Sequence, residues 1–175
     1  MITFGVDVDD VVADLMTAWL KRYNHDYNDN LKKTTITDWA VHTFTKPECG
    51  MSMYDYIEDK TLYDEVKPIP NALAGVKLLK TMGRIVFITA STLGCAGRKY
   101  TWLQEHGFID SMDDYVECKD KQLIKVDALI DDRYQNVMHS QSNCLFSQPW
   151  NKKYEYNMRI KNWKELINII EQRKF

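Results

Sequence analysis

The chain predicts an α/β fold: a three-layer, doubly wound parallel sheet with a small helical cap inserted after the first strand. Two observations predict it. Strand-length apolar runs alternate with segments whose apolar residues recur at helical spacing. Several of those runs are continuously apolar, as strands become when both faces of a parallel sheet are covered. A length of 175 residues suits one domain with a small insertion. It is enough to bury a core without disulfides or a structural metal.

The elements follow in order. Ile2 to Val8 is a short apolar run that ends in acids. Leu15, Met16, Trp19, Leu20 and Tyr23 then share one helical face. Residues 24 to 67 are polar, aromatic-rich and weakly periodic, with Trp39, Phe44, Tyr54, Tyr56 and Tyr63. They predict a small, mostly helical insertion, so that 1–14 and 68–175 form the core and 15–67 the cap. Pro68-Ile69-Pro70-Asn71 marks the return, because proline holds the preceding residue extended and suits a helix start. Ala72, Leu73, Val76 and Leu79 give a helix face, with Gly83 as its stop. Arg84 to Thr89 reads as a buried strand rich in branched residues. Arg98 to His106 reads as a helix ending at Gly107. Tyr115 to Cys118, Ala128 to Ile130 and Asn143 to Phe146 supply three further strands. The last helix opens on Asn162 with Glu165 three residues on, the spacing of a capping box, and buries Trp163, Leu166, Ile167 and Ile170.

Hydrophobic residues make up 45% and charged residues 27%, the balance of an ordinary globular protein. A formal net charge of −2 argues against a non-specific nucleic-acid binder, which carries a basic field. A substrate one nucleotide long remains compatible. Cys49, Cys95, Cys118 and Cys144 form no C-x-x-C pair and no zinc spacing with histidine, and read as free thiols of a reducing compartment. No signal peptide or membrane span is legible, so the expected location is cytoplasmic. His25, His42, His106 and His139 lack ligand spacing, and Lys152, Lys153, Arg159, Lys161 and Lys164 read as solvated surface.

In a parallel sheet the useful groups lie beyond the carboxyl ends of the strands. There the chain places Asp7-Val8-Asp9-Asp10, Thr89-Ala90-Ser91, Lys121 and Asp131-Asp132. Alone, Asp7 and Asp9 would read as turn or helix-cap residues; the other acids and the lysine change that. Crowded carboxylates repel and cannot all stay ionised, and a divalent cation resolves the conflict. Ligands that are all oxygen point to magnesium rather than zinc. In such a site Asp7 can attack phosphorus, and Asp9 can give a proton to the leaving oxygen and later take one from water. Lys121 offers positive charge to the phosphate and Thr89 a hydroxyl donor.

Asp7-Val8-Asp9-Asp10-Val11 resembles the first motif of the haloacid dehalogenase superfamily. Thr89, Lys121 and Asp131-Asp132 match its second, third and fourth motifs in order and strand context. The closer resemblance is to the 5'(3')-deoxyribonucleotidases. Asp9 to Asp14 is similar to their D-G-V-L-A-D, Val66 to Leu73 to E-P-I-P-G-A-L, Lys99 to Trp102 to E-K-Y-x-W-V, and Leu129 to Arg133 to L-I-D-D-R. Gln148-Pro149-Trp150-Asn151 and Asn162 to Leu166 resemble their closing segments.

The resemblance implies a magnesium-dependent phosphomonoesterase acting on nucleoside monophosphates. Asp7 would be nucleophile and metal ligand, and Asp9 the acid/base, with its carbonyl on the metal. Asp131 or Asp132 would complete the coordination, with Asp131 favoured for direct contact. Lys121, Ser91 and Lys99, with Thr89 or Ser91 as the key hydroxyl, would hold the phosphate, and Arg133 would shape the substrate side. Asp10 stands where the family usually has glycine, adding charge and restricting the turn. The expected partner is a small nucleotide, with no membrane, no stable nucleic-acid partner, and a homodimer left open. Two rivals remain: a same-fold phosphatase for nucleic-acid 3' ends or sugar phosphates, and a receiver-like signalling domain. A receiver has no large insertion after its first strand and no acid pair after its lysine.

Overall fold

Strand β1 (Ile2–Val6) is central because its neighbours on both sides are apolar runs: it pairs in parallel with β2 (Gly83–Thr89) and with β4 (Ala128–Asp131). In this computed structural model, residues 1–110 and 115–172 are described. Outward from those three run β3 (Tyr115–Glu117), β5 (Cys144–Phe146) and β6 (Arg159–Ile160). The result is a six-stranded sheet in the order β3-β2-β1-β4-β5-β6, with every pairing parallel. The order reverses at β1, which makes its carboxyl end the switch point where such sheets open a crevice. Register levels the strand ends: Val6 sits opposite both Phe87 and Ile130. Asp7, Thr89 and Asp131 therefore emerge along one edge.

Successive strand residues face opposite sides. Ile85 and Phe87 join a large apolar cluster, and Val86 and Ile88 a smaller one with Leu129 on the other side. Helices α2 (Ala72–Lys80) and α5 (Trp163–Gln172) pack through Gly75, where an added Cβ would stand 2.2 Å from Trp163 Cε3. The smaller cluster is covered by Cys118, Ile124 and Val126 of the β3–β4 crossover, which carries a short 3-10 turn (Lys121–Leu123).

The insertion begins with α1 (Leu15–Tyr27). It continues as 3-10 segments over Lys33–Thr35, Val41–Phe44, Gly50–Glu58 and Lys60–Asp64. A three-residue turn explains why no 3.6-residue period was legible there. Exit and return lie side by side: Asp14 N donates to Lys67 O and Ile69 N to Val12 O. The insertion has no core of its own, since Ile36, Met53 and Leu62 belong to the same cluster as Val6 and Phe87.

Several expectations are corrected. Gly83 does not stop α2; it opens β2, where a Cβ would meet Ile2 O at 2.2 Å. Gly107 does follow α3 (Arg98–Glu105) with a positive φ of 72°. The short β6 and helix α4 (Tyr134–Val137) were not foreseen. The box at α5 is half formed: Asn162 Oδ1 accepts from Glu165 N, but Glu165 accepts from Lys161 N rather than from Asn162. Arg159 is not solvated surface. It is half-buried and donates to Asn151 Oδ1 at 2.9 Å, stapling β6 to the turn at Pro149–Asn151.

Candidate active site

The backbone turns sharply after β1. Val8 O accepts from Val12 N (3.0 Å) and Ala13 N (2.9 Å), and Asp10 N donates to Ala13 O (2.7 Å). This loop puts Asp10 in the left-handed region, with φ of 55°. Asp is among the few non-glycine residues that tolerate it. The side chain is then used: Asp10 Oδ1 accepts from Met16 N at 3.2 Å in the first turn of α1, and from Lys33 Nζ at 2.7 Å. Burial pushes the Asp10 carboxyl up to about 6 despite Lys33.

Asp7, Asp131 and Asp132 are buried, and carboxylate oxygens from all three lie within 4.8 Å of one another. Lys121 Nζ sits between two of them, 2.6 Å from Asp7 Oδ1 and 2.7 Å from Asp131 Oδ2. Burial alone would lower the Lys121 ammonium, but Asp131 and Asp7 outweigh it and hold it above its ordinary value. One lysine does not satisfy three acids. Burial and then Asp131 push the Asp7 carboxyl up to about 7, and burial, Asp7 and Asp131 hold Asp132 well above the carboxylate range. The donor set is all oxygen and short of positive charge, which fits a hard divalent cation.

The two neighbouring acids at β4 are held differently. Asp131 accepts from Lys121 and from Asn136 Nδ2 (2.9 Å) on Oδ2 and from Arg133 N (2.7 Å) on Oδ1. Asp132 accepts from Trp150 Nε1 at 2.8 Å on Oδ2 and borders a cleft of about 240 Å³. Asp9 borders the same cleft; Lys99 Nζ holds its Oδ2 at 2.5 Å and the Tyr63 hydroxyl its Oδ1. Lys99 also reaches Thr89 Oγ1 at 3.1 Å. Asp7, Asp9, Thr89, Lys99, Lys121, Asp131 and Asp132 are thus brought together. Ser91 is not: its hydroxyl donates to Glu117 Oε1 at 3.1 Å.

The cleft wall comes partly from the insertion. Trp39 and Tyr54 line it. Arg133 stands 5.6 Å over the Trp39 ring, and Trp39 lies 5.9 Å from Trp150. Phe44 and Tyr56 instead pack against the core, and the Tyr56 hydroxyl donates to Asp26 Oδ2. Sequence reasoning missed Lys33, Tyr63, Asn136 and the roles of Gln148 and Trp150. The polar groups inside the two apolar segments Leu62-Tyr63 and Gln148-Pro149-Trp150 were the available signal.

This fold and this site define a class, the haloacid dehalogenase-like hydrolases. A hydrolase of that group from Deinococcus radiodurans, solved with bound phosphate and sodium, superposes with a TM-score of 0.59 at 11% identity, covering 98% of this chain and 96% of that one. A magnesium-bound structure of Bacillus subtilis YfnB, named a HAD-hydrolase, gives a TM-score of 0.57 at 14% identity, covering 97% and 98%. The chain belongs to the family described as 5' nucleotidase, deoxy (pyrimidine), cytosolic type C protein, whose profile matches residues 1–175. A 5'(3')-deoxyribonucleotidase of Clostridium acetobutylicum is 29% identical over 173 residues, 98% of this chain and 96% of that protein. The mouse mitochondrial 5'(3')-deoxyribonucleotidase is 30% identical over 139 residues, 73% of this chain and 63% of that protein.

Proposed function

We propose that the chain hydrolyses deoxyribonucleoside monophosphates to nucleoside and phosphate through a phospho-aspartate on Asp7. One observation carries the reading: a single cleft joins Asp7, Asp9 and Lys121 at its floor to Trp39, Tyr54 and Arg133 at its wall. The floor suits a phosphate and the wall a stacked base. Residues 15–67 act as the cap of a core formed by 1–14 and 68–175, and no helix among the described residues is long and apolar enough to cross a membrane. The family description and four free cysteines support a cytoplasmic setting.

Asp7 attacks phosphorus, the bond to the leaving oxygen breaks, and Asp9 supplies that oxygen with a proton. Asp9 then takes a proton from the water that attacks the phospho-aspartate, which frees phosphate and restores Asp7. Both Asp9 oxygens are engaged, by Tyr63 and Lys99. Its proton transfer therefore exchanges one of these bonds for the leaving oxygen. Lys121 and Lys99 offer charge to the phosphate, with Thr89 orienting Lys99; Ser91 joins them only by leaving Glu117. Magnesium, held by Asp7, Asp132 and the Asp9 carbonyl, would neutralise phosphate charge. Asp132 suits direct contact better than Asp131, whose oxygens are taken by Lys121, Asn136 and Arg133 N.

Phosphate release from a deoxynucleotide panel tests the reading. Activity should vanish with a chelator, return with magnesium, and be absent in Asp7→Asn. Full activity in metal-free protein, or no activity on any nucleotide, would sink it.

A further inference from the structure

Nothing in the proposed chemistry uses Asp10. Yet its carboxylate is buried and borders the same cleft as Asp7 and Asp132. Two buried cations of the site are held by other acids: Lys121 by Asp7 and Asp131, Lys99 by Asp9. The cation on Asp10 comes from the cap. Lys33 Nζ lies 2.7 Å from Asp10 Oδ1 and 2.7 Å from Asp14 Oδ1. It also stands 5.6 Å over the Trp150 ring, whose Nε1 holds Asp132. Most of its side chain is covered, at 20% exposure, so the pairing is partly shielded from salt and water. A fixed negative charge beside a cleft that must admit a phosphate dianion repels it, and a lysine on that charge removes the repulsion.

We infer that Lys33 is a positioning residue that cancels Asp10, and that this cap lysine and this cleft acid function as a matched pair setting phosphate affinity. The inference rests on the proposed phosphatase reading. Lys33 acts through Asp10, not by touching phosphate. Asp14, the other acid on Lys33, does not line the cleft, so losing the lysine harms phosphate binding only while Asp10 remains. Glycine at position 10 accepts the positive φ that Asp10 adopts, so the acid can be removed without straining the turn.

The test is a double-mutant cycle with Lys33→Met, Asp10→Gly and the double variant. Two readouts are taken with magnesium present: calorimetric binding of inorganic phosphate, and kcat and KM for a deoxynucleotide and for 4-nitrophenyl phosphate. Lys33→Met should weaken phosphate and raise KM for both esters on the order of tenfold, with a smaller change in kcat. Lys33→Arg should keep near-native affinity. The double variant should return phosphate affinity and KM to within about threefold of the parent, since the repelling charge is gone. Three results would overturn the inference. A double variant as weak as Lys33→Met would mean that Lys33 grips phosphate itself. A rise in KM confined to the nucleotide would mean that it merely tethers the cap wall. No change in Lys33→Met would mean that the pair is inert. Should Lys33→Met fail to fold, Lys33→Gln with and without Asp10→Asn makes the same cycle. If the parent turns over neither ester, the functional reading fails while phosphate calorimetry still decides the inference.

Discussion

Replacing Trp150 by phenylalanine isolates one hydrogen bond at the proposed metal site. Trp150 is buried, and its Nε1 donates to Asp132 Oδ2 at 2.8 Å. Phenylalanine keeps an aromatic ring facing Trp39 and Lys33 but removes the donor. A hydrogen bond to a charged group is worth about 1.5–3 kcal/mol. Loss of an outer partner of a metal-ligating group typically lowers metal affinity about 10–100-fold. The two scales agree, because about 1.4 kcal/mol corresponds to tenfold. The magnesium concentration for half-maximal rate should therefore rise on the order of tenfold or more, while kcat at saturating magnesium falls less. Rate against magnesium concentration, for parent and Trp150→Phe, measures this directly. An unchanged half-saturation point in a folded variant would refute the placement of Asp132 on the metal. A higher KM for nucleotide with unchanged magnesium dependence would leave Trp150 as cleft wall alone.

Four further outcomes are expected. Asp9→Asn should lose turnover on the order of 10²–10⁴-fold through lost proton transfer and be rescued by a better leaving group, whereas Asp7→Asn should form no phospho-enzyme and not be rescued; equal rescue contradicts these roles. Among the cap aromatics, Trp39→Ala and Tyr54→Ala, which line the cleft, should raise KM for nucleotides but spare a small phosphate ester, while Phe44→Ala and Tyr56→Ala should not discriminate between the two. Gly75→Ala should lower thermal stability, because its Cβ would stand 2.2 Å from Trp163; overpacking of this kind costs about 1–3 kcal/mol, and an unchanged melting curve would show that α5 moves freely. Burial pushes the Cys144 thiol up from 9.0 to about 12, so it should resist a thiol reagent at pH 8 while half-buried Cys118 reacts. Since the folded value is the raised one, the Cys144 contribution to stability is full below about pH 9 and declines as pH climbs toward 12, a decline that Cys144→Ala should remove.

The chemistry was legible in the sequence because it is local. Strand-end acids announce themselves by following apolar runs, and Asp7, Thr89, Lys121 and Asp131 needed only a parallel sheet to converge. The sheet itself was legible from continuous apolar runs, save for β6, whose two residues are too short to carry a period. Contacts across the fold were not legible. Lys33 meets Asp10 across 23 positions, Tyr63 meets Asp9 across 54, and Gln148 meets Asp10 O across 138. Such pairs share no spacing rule; the first two exist because the insertion leaves and returns at the same sheet edge, and the third because the chain leaving β5 closes on that edge. The same holds for which of two adjacent acids faces the cleft. Asp131 and Asp132 are indistinguishable in sequence, and only the packing of Lys121, Asn136 and Trp150 around them separates a lysine-holding carboxylate from a cleft-facing one. Likewise the cap aromatics share a composition, and only the folded insertion puts Trp39 and Tyr54 along the cleft while Phe44 and Tyr56 pack against the core away from it. What the chain determined by itself was which groups exist near each strand end; what required tertiary structure was which partner holds each of them, because burial and charge are properties of surroundings rather than of residues.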